Sequence, residues 1–118
     1  MVQISPIALD RVFHALSDGT RRAMLQRLEA GEMSIGELAA PFEMSLAGAS
    51  KHIRVLESAE LISRRVSGRT HYCRLEAARL AEAQAWLKHY ERFWTERLDT
   101  LEAILRAEDQ RKATSDDR

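Results

Sequence analysis

The feature that most restricts the fold of this 118-residue chain is a change of hydrophobic period near residue 60. Before that point apolar residues recur at helical spacing, whereas residues 61–66 and 70–75 are two short runs with the composition of β-strands. Ser67 and Gly68 between these runs are typical of a tight hairpin turn. The sequence therefore predicts several helices followed by a two-stranded β-hairpin.

Start signals divide the segment before the hairpin into four helices. Each signal is a polar N-cap side chain that can accept a hydrogen bond from a free amide of the first turn. The first signal also has a proline at the first helical position, and the third has the spacing of a capping box. In chain order the signals are Ser5–Pro6, Asp18, the Ser34–Glu37 pair and Ser45. The fourth helix is expected over residues 45–59.

Residues 76–108 carry one long helical pattern in which large apolar residues recur every seven positions, which is typical of a helix packed against a partner helix. We expect this helix and the first helix, residues 6–17, to form a homodimer interface. An alternative is a small-molecule pocket lined by aromatic residues of the last helix, which such an interface would also allow. The expected interface residues are Leu9, Val12, Phe13, Leu80, Leu87, Tyr90, Trp94 and Leu101.

The order of these elements is that of a winged helix-turn-helix. The expected fold class is mainly α (α+β), with four helices, a two-stranded β-hairpin wing and a long C-terminal helix. Residues 1–108 should form a single domain, and residues 109–118 a charged, disordered tail.

The outer face of the fourth helix is the best candidate for contact with DNA. If Ala49, Ile53 and Leu56 face the core, the opposite face is small near its start and basic further along. Small side chains allow a helix to enter the major groove, and an N-cap at a helix start favours a phosphate. His52 lies beside the core stripe and is expected to pack or to contact a phosphate.

Charge is distributed unevenly although the chain has 18 basic and 18 acidic residues. Residues 45–75 contain six basic and two acidic residues, whereas residues 76–110 contain five basic and eight acidic ones. A locally positive segment in a neutral chain is typical of a phosphate-facing surface, and three arginines lie near the hairpin tip. The expected DNA-binding residues are Ser45, Ala47, Gly48, Ser50, Lys51, His52, Arg54, Arg64, Arg65 and Arg69.

Several other functions are not supported by the sequence. It contains no glycine-rich phosphate loop, no paired carboxylate cleft and no cysteine–histidine couple, so we expect no enzymatic activity and no cofactor. Cys73 is the only cysteine and alternates in phase with Leu75, which favours packing over a redox role. The N-terminus lacks the pattern of a signal peptide and no stretch is long enough to span a membrane, so we expect a soluble, cytoplasmic, nucleoid-associated protein.

Three runs resemble the ArsR family of winged-helix repressors. Residues 16–22 (LSDGTRR) resemble the opening of that family, and residues 45–62 resemble its recognition helix and the entry to its wing. Residues 64–69, followed by Tyr72 and Leu75, resemble the wing itself. The similarity covers about residues 9–105, and the recognition-helix run is its most specific part.

The resemblance implies a homodimer that represses transcription at an inverted repeat and releases DNA when an inducer, often a metal ion, binds. Thiolate sensors of this family carry cysteines on the third helix, where the matching positions here are Ser34, Gly36 and Ala39. Zinc-type sensors carry paired motifs on the last helix, which here offers His89 alone. The chain is therefore similar to the metal-free branch, and no metal site is expected.

We consequently expect a sequence-specific, homodimeric DNA-binding repressor that uses residues 45–59 in the major groove and residues 64–70 at the wing. Two alternatives remain open at this point. One is a protein-interaction module that retains the winged fold without binding DNA, and the other is a metal- or redox-responsive sensor of the same family. The sequence also leaves open an unidentified small-molecule effector.

Overall fold

A computed structural model describes residues 4–116 of the chain. The elements are α1 (Pro6–Leu16), α2 (Gly19–Leu28), β1 (Met33–Ser34), α3 (Ile35–Ala39), α4 (Leu46–Ser58), β2 (Ile62–Ser67), β3 (Thr70–Leu75), α5 (Ala78–Lys88) and α6 (Glu91–Asp116). The mainly helical winged helix-turn-helix is confirmed. The chain forms two compact units, Met1–Gln84 and Ala85–Arg118, with the boundary inside the range that we expected to be one domain.

The four predicted helix starts are confirmed, because each N-cap side chain accepts an amide proton from its own first turn. Ser5 Oγ accepts from Ala8 at 3.1 Å and Ser45 Oγ accepts from Gly48 at 3.0 Å. Ser34 and Glu37 form both halves of a capping box. At α2 the backbone amide of Arg21 donates to Asp18, and this bond lowers the pKa of the Asp18 carboxyl.

The wing is a three-stranded antiparallel sheet in the order β1–β3–β2, one strand more than predicted. The additional strand pairs Met33 with Cys73 and Ser34 with Tyr72. A two-residue strand whose partner lies about forty residues away has no local periodicity to reveal it. The hairpin turn is formed by Gly68 and Arg69, one residue later than predicted, and Gly68 has a φ of +62°, which glycine adopts without strain.

The core of the first unit contains apolar residues from α1 to α5. Val12, which we predicted at the dimer interface, is completely buried in this core, so its side chain has no surface left for a second subunit. Leu9 and Leu80 are only half-buried and pack on the edge of the same core. The largest fully buried side chains are Met24, Leu38, Ile53, Leu56, Leu61, Val12 and Cys73.

The single long helix predicted over residues 76–108 is wrong, since the chain turns at His89 and Tyr90. The amides of these residues donate to the carbonyls of Trp86 and Leu87, three residues earlier, which tightens and ends α5. Helix α6 continues to Asp116, past residue 108, after which we expected a disordered tail. Residues 91–116 contain neither glycine nor proline, so nothing local interrupts the helix. No helix within residues 4–116 is both long and apolar enough to cross a membrane.

Candidate nucleic-acid interface

Helix α4 presents the predicted face outward. Ala49, Ile53 and Leu56 are completely buried, and this fixes the rotation of the helix about its axis. Ala47, Lys51 and Arg54 on the opposite side are exposed, while Gly48 and Ser50 at the flanks are half-buried. The exposed strip is therefore small at the start of α4 and basic from its middle onward, as a helix that enters the major groove requires.

The structure shows a local reason for glycine at position 48, which the sequence did not reveal. A Cβ atom at this position would lie 3.3 Å from Ser45 Oγ, the atom that caps α4. This spacing is tighter than most real Cβ contacts, so a larger residue would require the capping hydroxyl to shift by a few tenths of an ångström. Gly48 therefore lets the capping hydroxyl sit close to the first turn.

His52 is tied to the rest of the unit by Arg21, a residue that sequence reasoning missed. Arg21 is buried, and its guanidinium donates to the carbonyls of Ala15 at 2.8 Å and His14 at 2.9 Å. The same guanidinium lies 3.3 Å from Nδ1 of His52, which is also 3.8 Å from a carboxylate oxygen of Asp18. Through these contacts His52 acts as a link between α4 and the α1–α2 corner.

Arg64 and Arg65 brace the wing and are not free cations. Arg64 makes a two-point ion pair with Glu57 of α4, with distances of 3.1 and 3.3 Å. Arg65 pairs with Glu32 at 2.6 Å, its guanidinium lies 4.5 Å from the ring centre of Tyr72, and its hydrogen bond lowers the pKa of Glu32. In the structure these two arginines hold the hairpin against α4 and against the segment before β1.

The remaining basic residues of this surface have no such partners. Within residues 4–84, Lys51, Arg54 and Arg69 make no hydrogen bond or ion pair with another described side chain or carbonyl. By contrast, Arg22, like Arg21, is held by a backbone carbonyl. Among the predicted DNA contacts, the cations left unpaired are therefore those on the outer face of α4 and at the hairpin tip.

An open cleft of about 320 Å³ lies between α4 and the wing. Ser50 of α4 and Arg69 of the turn both line it, so the structure brings together a predicted base-reading side chain and a predicted wing contact. Leu46 lies at the same cleft and is 63% exposed although it is apolar. The remaining lining residues are Ser34, Ile35, Gly36, Thr70 and His71.

The residues present do not fit the metal site that the resemblance implies. Ser34, the N-cap of α3, and Gly36 and Ala39 within that helix supply no thiolate. Among residues 4–116, no group of three or more His, Cys, Asp or Glu side chains is placed to hold a metal ion. The side chains at the α3 positions that hold a metal in thiolate sensors therefore do not fit a metal ion in this chain.

Cys73 is expected to resist thiol reagents while the protein is folded. Its side chain is completely buried, and burial raises the pKa of the thiol, so the reactive thiolate is scarce at neutral pH. We expect no reaction with a disulfide reagent at pH 7.5 over minutes, and stoichiometric reaction after denaturation. Rapid labelling of the folded protein would contradict this and would favour a redox role.

The second unit exposes a continuous apolar surface. Leu87, Tyr90, Trp94 and Leu101 of the predicted interface are between 41 and 50% exposed. On α6, Trp94 and Leu101 alternate with two further exposed leucines at spacings of three and four residues, which is the spacing of a helix–helix seam. We call this set the α6 stripe, and its members are Trp94, Leu98, Leu101 and Leu105.

Comparison with known proteins finds relatives with this architecture. Residues 16–65 match a family described as a helix-turn-helix domain. The chain is 36% identical over 99 residues to the HTH-type transcriptional regulator Rv2034 of Mycobacterium tuberculosis, covering 84% of this chain and 90% of the relative. It is 34% identical over 82 residues to the transcriptional repressor SdpR of Bacillus subtilis, covering 70% and 91%. A solved ArsR family transcriptional regulator superposes with a TM-score of 0.73 at 37% identity, covering 80% of this chain and 97% of the other.

Proposed function

This chain belongs to the ArsR family of winged helix-turn-helix transcriptional regulators, and we propose that it represses transcription as a homodimer bound to an inverted-repeat operator. One relative is named a transcriptional repressor, which supports this direction of regulation. The protein would act at the nucleoid, in the cytoplasm, with no cofactor and no catalytic step of its own.

The distribution of unpaired cations is the observation that carries this proposal. Most arginines of residues 4–84 are engaged by carboxylates or carbonyls, whereas Lys51, Arg54 and Arg69 remain free on the side that presents α4 and the hairpin tip. A protein-interaction module would have no need to keep these charges uncompensated. Phosphates are the partners that such a pattern fits.

In the proposed complex each subunit inserts α4 into one major groove. The two copies of α4 lie about 34 Å apart, one turn of B-DNA, on the same face of the duplex. Ala47, Gly48 and Ser50 approach base edges because they are small, whereas Lys51 and Arg54 contact the backbone. Arg69 at the hairpin tip reaches the flanking backbone or minor groove.

The proposed homodimer forms through the last two helices. The α6 stripe supplies the seam, and Leu87 and Tyr90 extend the exposed apolar surface at the end of α5. Phe13 and the half-buried Leu9 of α1 would complete the interface, whereas Val12 supports it from inside the core. An apolar surface of this extent is rarely left open on a protein.

The test is a fluorescence-anisotropy titration of the operator upstream of the gene for this protein, beside a shuffled duplex, at several salt concentrations. We expect Lys51→Ala/Arg54→Ala to lose affinity for both duplexes and to lower the log–log salt slope by about 0.9 for each contact removed. Matched changes at Arg74 and Arg106, whose guanidiniums already pair with Glu76 and Glu102, should leave the slope unchanged. Weak binding of the wild type to both duplexes, with no salt dependence, would favour the protein-interaction alternative.

A further inference from the structure

A groove of about 220 Å³ lies between α1 and α4, next to the outer face of α4. Arg11 and His14 of α1 line one side, and Arg54, Val55 and Ser58 of α4 line the other. Arg54 belongs both to this groove and to the exposed basic strip of α4. The groove therefore continues the candidate DNA surface onto a helix that sequence reasoning assigned to dimerisation.

The charge of this groove is uncompensated. Its lining contains two guanidiniums and an imidazole but no carboxylate. Arg11 is exposed, and within residues 4–84 it joins Lys51, Arg54 and Arg69 as a cation without a hydrogen-bond or ion-pair partner. Arg22, on the neighbouring helix, donates instead to the carbonyl of Leu16 at 2.7 Å. Arg11 thus shares the property that distinguishes the DNA-facing cations from the structural ones.

We propose that Arg11 and Arg54 together bind one backbone phosphate of the operator duplex, so that α1 takes part in DNA positioning. The planar guanidinium matches phosphate oxygens in two-point geometry, and two of them facing one groove favour a group with several anionic oxygens. A duplex is the occupant because the groove opens beside the strip that faces it in the proposed complex. The inference rests on the proposed function.

The proposed contact carries affinity and not sequence preference. A phosphate is the same in every sequence, so loss of Arg11 weakens operator and shuffled DNA by the same factor. Neutralising one phosphate releases condensed counterions, so the loss is also visible as a change of salt slope. A structural role of Arg11 would leave that slope unchanged.

The experiment compares Arg11→Gln, Arg11→Lys and Arg74→Gln with the wild type by anisotropy on the operator and on shuffled DNA. We expect Arg11→Gln to lower the log–log slope measurably, but by less than about 0.9 per phosphate or about 1.8 for a dimer, because Arg54 still contacts the same phosphate. Arg11→Lys should restore most of the slope because it keeps the charge. Arg74→Gln is the matched control, since the Arg74 guanidinium is already paired with Glu76 at 3.2 Å.

Ethylation interference locates the phosphate. In the wild type, at least one ethylated phosphate in each half-site should weaken binding. The same ethylation should weaken binding of Arg11→Gln by a smaller factor, because only Arg54 contacts that phosphate in the variant. Unchanged melting temperature would show that the variant is folded, as expected for an exposed side chain without partners.

The outcomes separate the two proposals. If the wild type binds the operator with a steep salt dependence and Arg11→Gln keeps the full slope, the phosphate contact is overturned and the repressor proposal stands. An affinity loss without a change of slope overturns it equally. If the wild type shows neither operator preference nor salt dependence, the repressor proposal is overturned, and the phosphate contact that rests on it is overturned as well.

Discussion

Arg21→Met lowers the free energy of unfolding by about 2 kcal/mol, because it leaves the buried carbonyl of Ala15 without a donor. The guanidinium of Arg21 donates to Ala15 and His14 at the end of α1 and lies 3.3 Å from His52 on α4. Methionine fills similar space but supplies no donor. An unsatisfied buried acceptor costs about 1–3 kcal/mol. The His14 carbonyl still accepts from the amide and the hydroxyl of Ser17, so the expected loss comes from the Ala15 carbonyl.

Differential scanning calorimetry at one fixed protein concentration measures this effect, since the melting temperature of a dimer depends on concentration. The expected decrease in melting temperature is about 8–16 °C for a unit of this size. Arg22→Met is the matched control, because Arg22 is exposed and holds one carbonyl only, and it should cost less than about 1 kcal/mol. Equal losses in both variants would show that burial of Arg21 contributes nothing.

Leu98→Lys/Leu101→Lys converts the proposed homodimer into a monomer at micromolar concentration. Both leucines are exposed in the single chain, at 60 and 50%, so the substitutions remove no contact within the chain core. A dimer that closes over the α6 stripe would have to bury four lysines, which is strongly unfavourable. Because a monomer holds only one half-site, operator affinity should fall by more than about 100-fold.

Analytical ultracentrifugation and the operator titration together test this expectation. Ala103→Lys is the matched control, because Ala103 lies on the face of α6 opposite the stripe and lysine is also a good helix former. The control should remain a dimer with wild-type affinity. A dimeric double variant, or a wild-type monomer, would show that the α6 stripe is not the seam.

Local sequence signals determined most of the first unit. Each helix start was predictable because an N-cap satisfies amides within three residues of itself, so its effect needs no distant partner. The outward face of α4 was predictable for a similar reason, because helical period alone separates Ala49 and Ile53 from Lys51. The resemblance to the ArsR family rests on the same segments.

Other features depended on which residues meet in three dimensions. Strand β1 exists only through its pairing with β3, and Arg64 is a wing brace because Glu57 of α4 lies beside it. Val12 and Phe13 are neighbours in sequence, yet only Val12 is completely buried, since burial depends on what packs over each position.

The sequence by itself thus determined the order of elements, the winged-helix class and the basic surface, because periodicity, capping and charge act over a few residues. Only the tertiary structure decided which cations are free. Arg11, Arg54, Arg64 and Arg65 are chemically alike in the sequence. They differ in the structure because carboxylates from distant elements pair with Arg64 and Arg65 and leave Arg11 and Arg54 unpaired. Pairing of charges across the fold is a non-local property, and no local pattern encodes it.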